Sequence, residues 1–511
     1  MKKKNTVKSI LAVMLCAVLS LAVFSACTKT AEGPTRVTIY FLGASVSQDA
    51  DVIAAANARL GQLGLNITIN PIWGDWGAGE RMQNVLDTAD TSIDIVFTCS
   101  WANNYVPNAL RGNLARLDDP KNNLLEKYGK DVKAAVPQFL WDGFKVNAGS
   151  GPGIYAVPGY KDYAQLYTWD INNTRLAELG YDINSFKWDG SVIFDPRFEE
   201  VLAAAKQRYG TSFYPLMPEK DNFIRMMTNN DGDLTGLTLI GFPFNPQNPA
   251  LPRDIPVGLI YDDPEIMRVL DKLHEFFRKG YIDPRVALRD DAGPGGAIEA
   301  GYYLFNVRVY AHGFEAVASN ERGIDARFIP ISKPIVSTMP VQGSGFGISV
   351  YSKNQAAAMQ FLNAWYTDRE LATIMCYGVE GTHYRKNPNG TITINTDTRA
   401  FFQTWRNGMG NIFILPPQDV EGPAYFDEFR AYNDAGIGTN FLGFTFDPVN
   451  VQNEMAALRN VRDEYISSIS TGNVNPRTAV PVFIDRLNAN GLRKVLDEVN
   501  SQLRAFYSGR R

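Results

Sequence analysis

Apolar side chains fall on every second position at Val37, Ile39 and Phe41, the period of a strand with a buried face. Val52, Ile53, Ala56, Leu60 and Leu63 then recur at helical spacing, and Gly64 stands where a C-terminal cap belongs. Leu65, Ile67 and Ile69 alternate again up to Pro71, and Met82, Val85, Leu86 and Ala89 share one helical face. Ile93 to Phe97 is almost unbroken apolar sequence, the mark of a strand covered on both sides. Strand, helix, strand, helix, strand at this spacing predicts a parallel sheet in an α/β lobe.

The middle of the chain is richer in Pro and Gly, but helices still stand out. Asp263-Pro264-Glu265 combines a cap, a first-turn proline and an acid matched to the helix dipole. Ile266, Val269, Leu270, Leu273 and Phe277 form the stripe behind it, and Gly280 ends it. Further helices are expected from Ser352, through Ala356, Met359 or Phe361, Leu362 and Trp365, and from Asp368, with Leu371, Ile374 and Met375. A last one carries Leu492, Val495, Leu496, Val499, Leu503 and Phe506. No internal repeat and no low-complexity tract is present.

The first residues change the picture of where this chain works. Lys2, Lys3, Lys4 and Lys8 precede an apolar stretch from Ile10 to Phe24, and Ser25-Ala26-Cys27 follows. A basic start, a short apolar core and small residues describe a secretory leader rather than a membrane span. Losing its four lysines takes the formal charge from −4 to −8. An acidic chain without basic runs argues against nucleic acid as partner. At 511 residues the chain is long for a single domain. Of its four cysteines, Cys16 falls within the leader. Cys99 and Cys376 are too few for a disulfide framework and are expected as buried thiols.

Several stretches carry a resemblance. Ser-Ala-Cys27 is similar to the lipobox of bacterial lipoproteins, with Phe24 a departure from its usual small or aliphatic residue. Ile93 to Trp101 (IDIVFTCSW), Ile154 to Asp182 (IYAVPGYKDYAQLYTWDINNTRLAELGYD) and Gly345 to Trp365 (GFGISVYSKNQAAAMQFLNAW) resemble the extracellular solute-binding proteins of carbohydrate ABC importers. Gly378 to Tyr384 (GVEGTHY) and Phe426 to Phe506 resemble the variant with a C-terminal domain of unknown function, common in Gram-positive lipoproteins. The resemblance implies a two-lobed periplasmic-binding-protein-like fold of type II, with a ligand cleft between hinged lobes. It implies a leader over 1–26, a linker over 27–35, one lobe from 36–157 plus 309–367, and a second from 158–308 plus 368–511, the tail 378–511 resembling the C-terminal domain. Crossings are expected near 155–160, 305–312 and 366–377. Cys27 would carry the lipid, two or more acyl chains holding stably where one holds weakly. The implied protein is a monomer without cofactor. Its partners are an oligosaccharide, the permease subunits of an importer, and a membrane reached through the lipid.

Sugars offer weakly apolar C–H faces and many hydroxyls, so a site for them wants flat rings beside planar polar groups. Such groups cluster in segments following strands, where α/β sheets bind ligands. Trp73 and Trp76 lie in PIWGDWGAG after the second strand. Trp101 and Asn103 follow the third. Tyr160 and Asp162 sit at the first crossing, where hinge packing is the competing role. Glu380, His383 and Tyr384 occupy a glycine-flanked loop. His312 lies near the expected second crossing. Three scattered histidines give no zinc spacing, and Asn229 to Asp233 lacks the register and the twelfth-position acid of a calcium loop, so neither a metal nor a catalytic group is expected. A secreted glycosidase needs two carboxylates on one cleft, which abundant acids leave open. No G-x-S-x-G elbow or H-E-x-x-H helix is present. The pattern also fits a ligand sensor of the same fold and a binder of peptide or another solute.

Overall fold

The computed structural model describes residues 33–42, 50–74, 78–149, 151–218, 223–224, 234–241, 256–288, 295–310, 312–331, 333–397 and 410–508. The leader, Cys27, Trp76 and the 229–233 segment lie outside them. Among the described residues, no helix is long and apolar enough to cross a membrane.

The chain begins with β1 (Thr35–Leu42), α1 (Ala50–Gln62), β2 (Ile67–Gly74), α2 (Gly79–Asp87), β3 (Ile95–Thr98) and, further on, β4 (Ala156–Pro158). It then crosses to β5 (Tyr167–Asn172), β6 (Leu216–Met217), α3 (Pro264–Arg278), β7 (Phe305–Val309), α4 (Phe314–Arg322) and β8 (Ala326–Pro330). It returns through β9 (Ile335–Val336) to β10 (Gly345–Ile348), α5 (Gln355–Thr367), α6 (Arg369–Tyr377) and α7 (Tyr425–Asp434). After β11 (Ile437–Gly438) it ends on the helices α8 (Gln452–Ser470), α9 (Pro476–Ala489) and α10 (Leu492–Ser508).

Two sheets result. The first has the order β2-β1-β3-β10-β4 and the second β8-β5-β7-β6. β1 pairs parallel with β2 and β3, as the strand-helix-strand spacing predicts, while β10 runs antiparallel to both of its neighbours, β3 and β4. The first core runs from Val37 to Ala164 and resumes from Val336 to Phe429. The second lobe has one core around β5 and β7 and another where the last helices meet α3. The α3 cap forms as expected, with Asp263 accepting the Glu265 N–H at 2.9 Å, although Phe276 rather than Phe277 completes the buried stripe. Helix α5 starts three residues after Ser352, whose hydroxyl instead donates to the buried Asp94 carboxylate.

The lobe boundaries differ from expectation. Residues 309–310 and 312–331 belong to the second lobe, because β7 and β8 both pair with β5. Residues 368–397 and 410–429 belong to the first, where Leu371, Cys376, Phe413 and Phe429 join its core and Asp368 pairs with Arg59 at 2.8 Å. Asp368 is the cap between two consecutive helices rather than a crossing: it accepts the Leu371 N–H at 2.7 Å. The crossings lie at 159–166, 331–336 and 434–441. They form a small ribbon in which Gln165 exchanges two backbone hydrogen bonds with Ile335, each 2.8 Å, and β9 pairs parallel with β11. Packing there leaves no room at Gly436, where a Cβ would sit 2.7 Å from Val336 and 2.8 Å from Ala164.

Candidate functional site

The pairing registers decide which strand ends meet. Thr98 of β3, Gly345 of β10 and Pro158 of β4 lie side by side on one edge of the first sheet, beyond which the chain crosses over. Val309 of β7, Tyr167 of β5 and Thr168, opposite Pro330 of β8, mark the corresponding edge of the second. These are the ends at which the chain passes between the lobes, so the segments leaving them stand where the lobes are joined.

Trp101 leaves β3 at this edge. Its indole N–H donates to the Gly343 carbonyl at 2.9 Å, while the residue stays 51% exposed. A ring fixed at one edge and open on its face is a ready platform for an apolar surface. The next carbonyl, on Ser344, takes the Gly159 N–H at 2.8 Å, so one short segment anchors both Trp101 and the first crossing. Tyr160 follows, half-buried, its ring centroid 4.6 Å from Phe413. Lys161 and Asp162 form an ion pair with side chains only 15% and 19% exposed. The Lys161 ammonium also acts electrostatically on the Cys99 thiol, which burial nonetheless pushes up to about 12. Asn433 clamps the crossing by donating to the Lys161 carbonyl at 2.9 Å and accepting from the Tyr163 and Ala164 N–H groups.

A run of rings continues from Tyr160 to the opposite lobe. Phe413 lies 5.7 Å from Phe429, Phe429 5.5 Å from His312, His312 5.8 Å from Tyr432 and Tyr432 5.4 Å from Tyr310. Phe429 and Tyr432 stand on α7, whereas Tyr310 and His312 leave β7 of the second lobe. His312 is stacked between Tyr425 and Tyr432 at interplanar angles of 27° and 23°. A depression of about 370 Å³ opens beside it, walled by Tyr310, Tyr425, Glu315, Arg327 and Glu428. Of these rings only Tyr160 and His312 stood out in the sequence, although Tyr425, Phe429 and Tyr432 fall at i, i+4 and i+7 of a helix and could have been read as a stripe.

Burial among these rings holds the His312 pKa below its usual 6.5, against an opposing pull from Glu428 at 3.7 Å. The unfolded chain therefore takes up a proton that the folded chain resists, and stability falls as the pH drops below about 6.5. Melting curves at pH 7.5 and 5.5 should show this loss, and the gap should narrow in His312→Phe.

The other candidates are placed differently. The Trp73 ring lies half-buried against Phe41, 4.5 Å away and nearly coplanar at 13°, so one of its faces belongs to the core. Asn103 is 5% exposed, with φ 44° in the left-handed region that asparagine tolerates. Its side chain donates to the Phe97 carbonyl at 2.6 Å and accepts from Asn108 at 3.1 Å, fixing the turn that presents Trp101. Asn103→Ala should cost about 1–3 kcal/mol in urea unfolding, the penalty for stranding buried partners. Glu380 is spent on Lys386 at 2.7 Å. His383 is buried and accepts the Val379 N–H at 2.9 Å on its Nδ1, and Tyr384 is buried against Tyr377. These three hold their own loop together. Cys99 and Cys376 are both buried and unbridged. Among the described residues, no group of three His, Cys, Asp or Glu could hold a metal ion.

Two α/β lobes joined by three crossing segments are the architecture of the type II periplasmic-binding-protein-like fold. Comparisons with known proteins place it more narrowly. Residues 440–508 match the domain of unknown function DUF3502. The chain is 26% identical over 493 residues to a carbohydrate ABC transporter substrate-binding protein of Streptococcus pneumoniae serotype 4 (strain ATCC BAA-334 / TIGR4), covering 93% of this chain and 91% of that one. The N-glycan transport solute binding protein NgtS of Streptococcus pneumoniae superposes with a TM-score of 0.77 at 24% identity, covering 93% of this chain and all of that one. Its complex with Man5GlcNAc gives 0.74 at 25%, covering 93% and 99%. The fold also matches the alginate-binding protein AlgQ2, with a TM-score of 0.63 at 16% identity over 93% and 99%. The resemblance read from the sequence thus extends along nearly the whole chain, with the C-terminal domain matched over 440–508 rather than over the expected 378–511.

Proposed function

We propose that this chain is the extracellular solute-binding component of an ABC importer, capturing an oligosaccharide between its lobes and delivering it to the permease. The observation that carries the reading is Trp101: a half-exposed indole, pinned through its N–H, at the edge where the lobes are joined. Tyr160, the Lys161–Asp162 pair and the half-buried Tyr432 of α7 add flat and planar-polar groups of the kind that sugars require. The similarity to NgtS, whose complex holds Man5GlcNAc, supports the same reading and points to glycans of several units. Binding alone suffices: the lobes need only hold ligand better when closed than when open. The protein works without turnover, as a monomer, tethered to the outer face of the membrane by lipid on Cys27.

A thermal-shift screen of residues 28–511 against oligosaccharides tests this. A ligand that binds only the folded state raises the melting temperature with concentration. Man5GlcNAc should do so without being cleaved, and free mannose should not. Shifts with peptides alone would overturn the choice of ligand, and steady product release would overturn a pure binding role. Loss of palmitate labelling in Cys27→Ser is the matching result for the anchor.

A further inference from the structure

Proteins of this fold include binders of neutral glycans and of alginate, a polyuronate, so the fold leaves open whether the ligand is charged. We propose that the cleft selects neutral over acidic oligosaccharides, and that Asp162 sets this preference by neutralising Lys161. The inference rests on the oligosaccharide-binding reading and narrows it.

Lys161 is the cation that a carboxylated sugar would seek. It stands at the first crossing, two residues after the Gly159 N–H that Ser344 holds beside the Trp101 anchor, and its carbonyl is clamped by Asn433 of α7. Its ammonium is already held by the neighbouring carboxylate, and four-fifths or more of both side chains is covered. A uronate would have to displace Asp162 or pair beside it, and screening by water is weak at such a covered site. The nearby guanidinium of Arg430 is also committed, to Asp427 at 3.0 Å and to the Phe413 carbonyl at 3.0 Å. Further along, the His312 end of the ring series carries Glu421 and Glu428. Among the described residues along this stretch, carboxylates outnumber the three cations Lys161, Arg430 and Arg327, and each of these has a carboxylate partner, Arg327 in Asp325 at 2.7 Å. A neutral sugar meets no such penalty. Its hydroxyls can donate to Asp162 and accept from Lys161 without breaking the pair.

The test compares Man5GlcNAc with the same glycan oxidised at one mannose C6 to the uronate, by calorimetry in low and high salt. Wild-type protein should bind the neutral glycan at least about tenfold more tightly. In Asp162→Asn the ratio of acidic to neutral affinity should rise by about tenfold or more, and acidic-glycan binding should become salt-dependent. The double variant Lys161→Met/Asp162→Asn should return the ratio toward wild type, since the freed ammonium is then gone. Equal or tighter wild-type binding of the uronate would overturn the selectivity. An unchanged ratio in Asp162→Asn, or one that stays raised in the double variant, would overturn the role given to the pair. If the wild type binds neither glycan, the oligosaccharide reading fails first and takes this one with it.

Discussion

Trp101→Ala is expected to weaken oligosaccharide binding by about 1–3 kcal/mol, roughly 5- to 150-fold in Kd, while leaving the melting temperature of the free protein almost unchanged. The two halves of that expectation come from one geometry. The ring is 51% exposed, so the core loses little when it is removed. Its N–H anchor on Gly343 means that its orientation is set before ligand arrives, so little side-chain entropy remains to be lost on binding. Trp101→Phe should fall in between, keeping a face but losing the anchor. Calorimetry of the three proteins with one glycan, beside their melting curves, checks this. Unchanged affinity in a folded Trp101→Ala protein would remove the ring from the site.

The largest expected loss of stability lies elsewhere. Arg322→Ala should destabilise the second lobe by about 3–5 kcal/mol, because it strands a charge that has no access to water. Asp170, in the middle of β5, is fully buried, and Arg322 at the end of α4 reaches it at 3.0 Å with a side chain 1% exposed. The Tyr303 hydroxyl completes the cluster, donating to Asp170 at 2.6 Å and accepting from Arg322 at 2.8 Å. Burial raises the Tyr303 pKa well beyond its normal range, so the phenol stays a neutral donor. Removing the guanidinium leaves the carboxylate one hydroxyl and the more distant Arg308, 3.8 Å away. Replacing both members, as in Asp170→Leu/Arg322→Met, should recover much of the loss. Urea unfolding followed by tryptophan fluorescence would measure all three. A single-variant loss below about 1 kcal/mol would mean that water reaches Asp170 after all.

That cluster also shows where reading the sequence stops. The α3 cap was legible because Asp263, Pro264 and Glu265 act within one turn, and the period-two pattern of β1 because it repeats locally. Asp170 was not, since Tyr167–Asn172 is buried along its whole length and its charged partner is 152 residues away. The same distance effect displaced the lobe boundary. Nothing near Ala326–Pro330 announces that its partner is Tyr167–Asn172, and only the pairing reveals it. A strand followed by an aromatic residue was enough to mark Trp101 as a candidate, and the structure places it half-exposed just beyond β3. Asn103, two positions on, looks equally suited to a ligand in sequence. Its left-handed backbone turns the side chain back onto Phe97, and residue type alone carries no sign of that. The adjacency of Lys161 and Asp162 was visible, whereas the ring series joining them to the second lobe depends on α7 docking beside the crossing.

The order of strands in the first sheet bears on how the chain is made. β4 touches that sheet only through β10, and β10 is synthesised almost 190 residues later. When residue 330 leaves the ribosome, every strand of the second sheet exists, while the first still lacks the strand that joins its two parts. The helices that complete the second lobe emerge last of all. Neither half can finish before nearly the whole chain is present, and such long-range closure is slow. The earliest-made strands wait the longest with an unpaired edge, which suits a polypeptide kept extended during synthesis and released to fold in one piece.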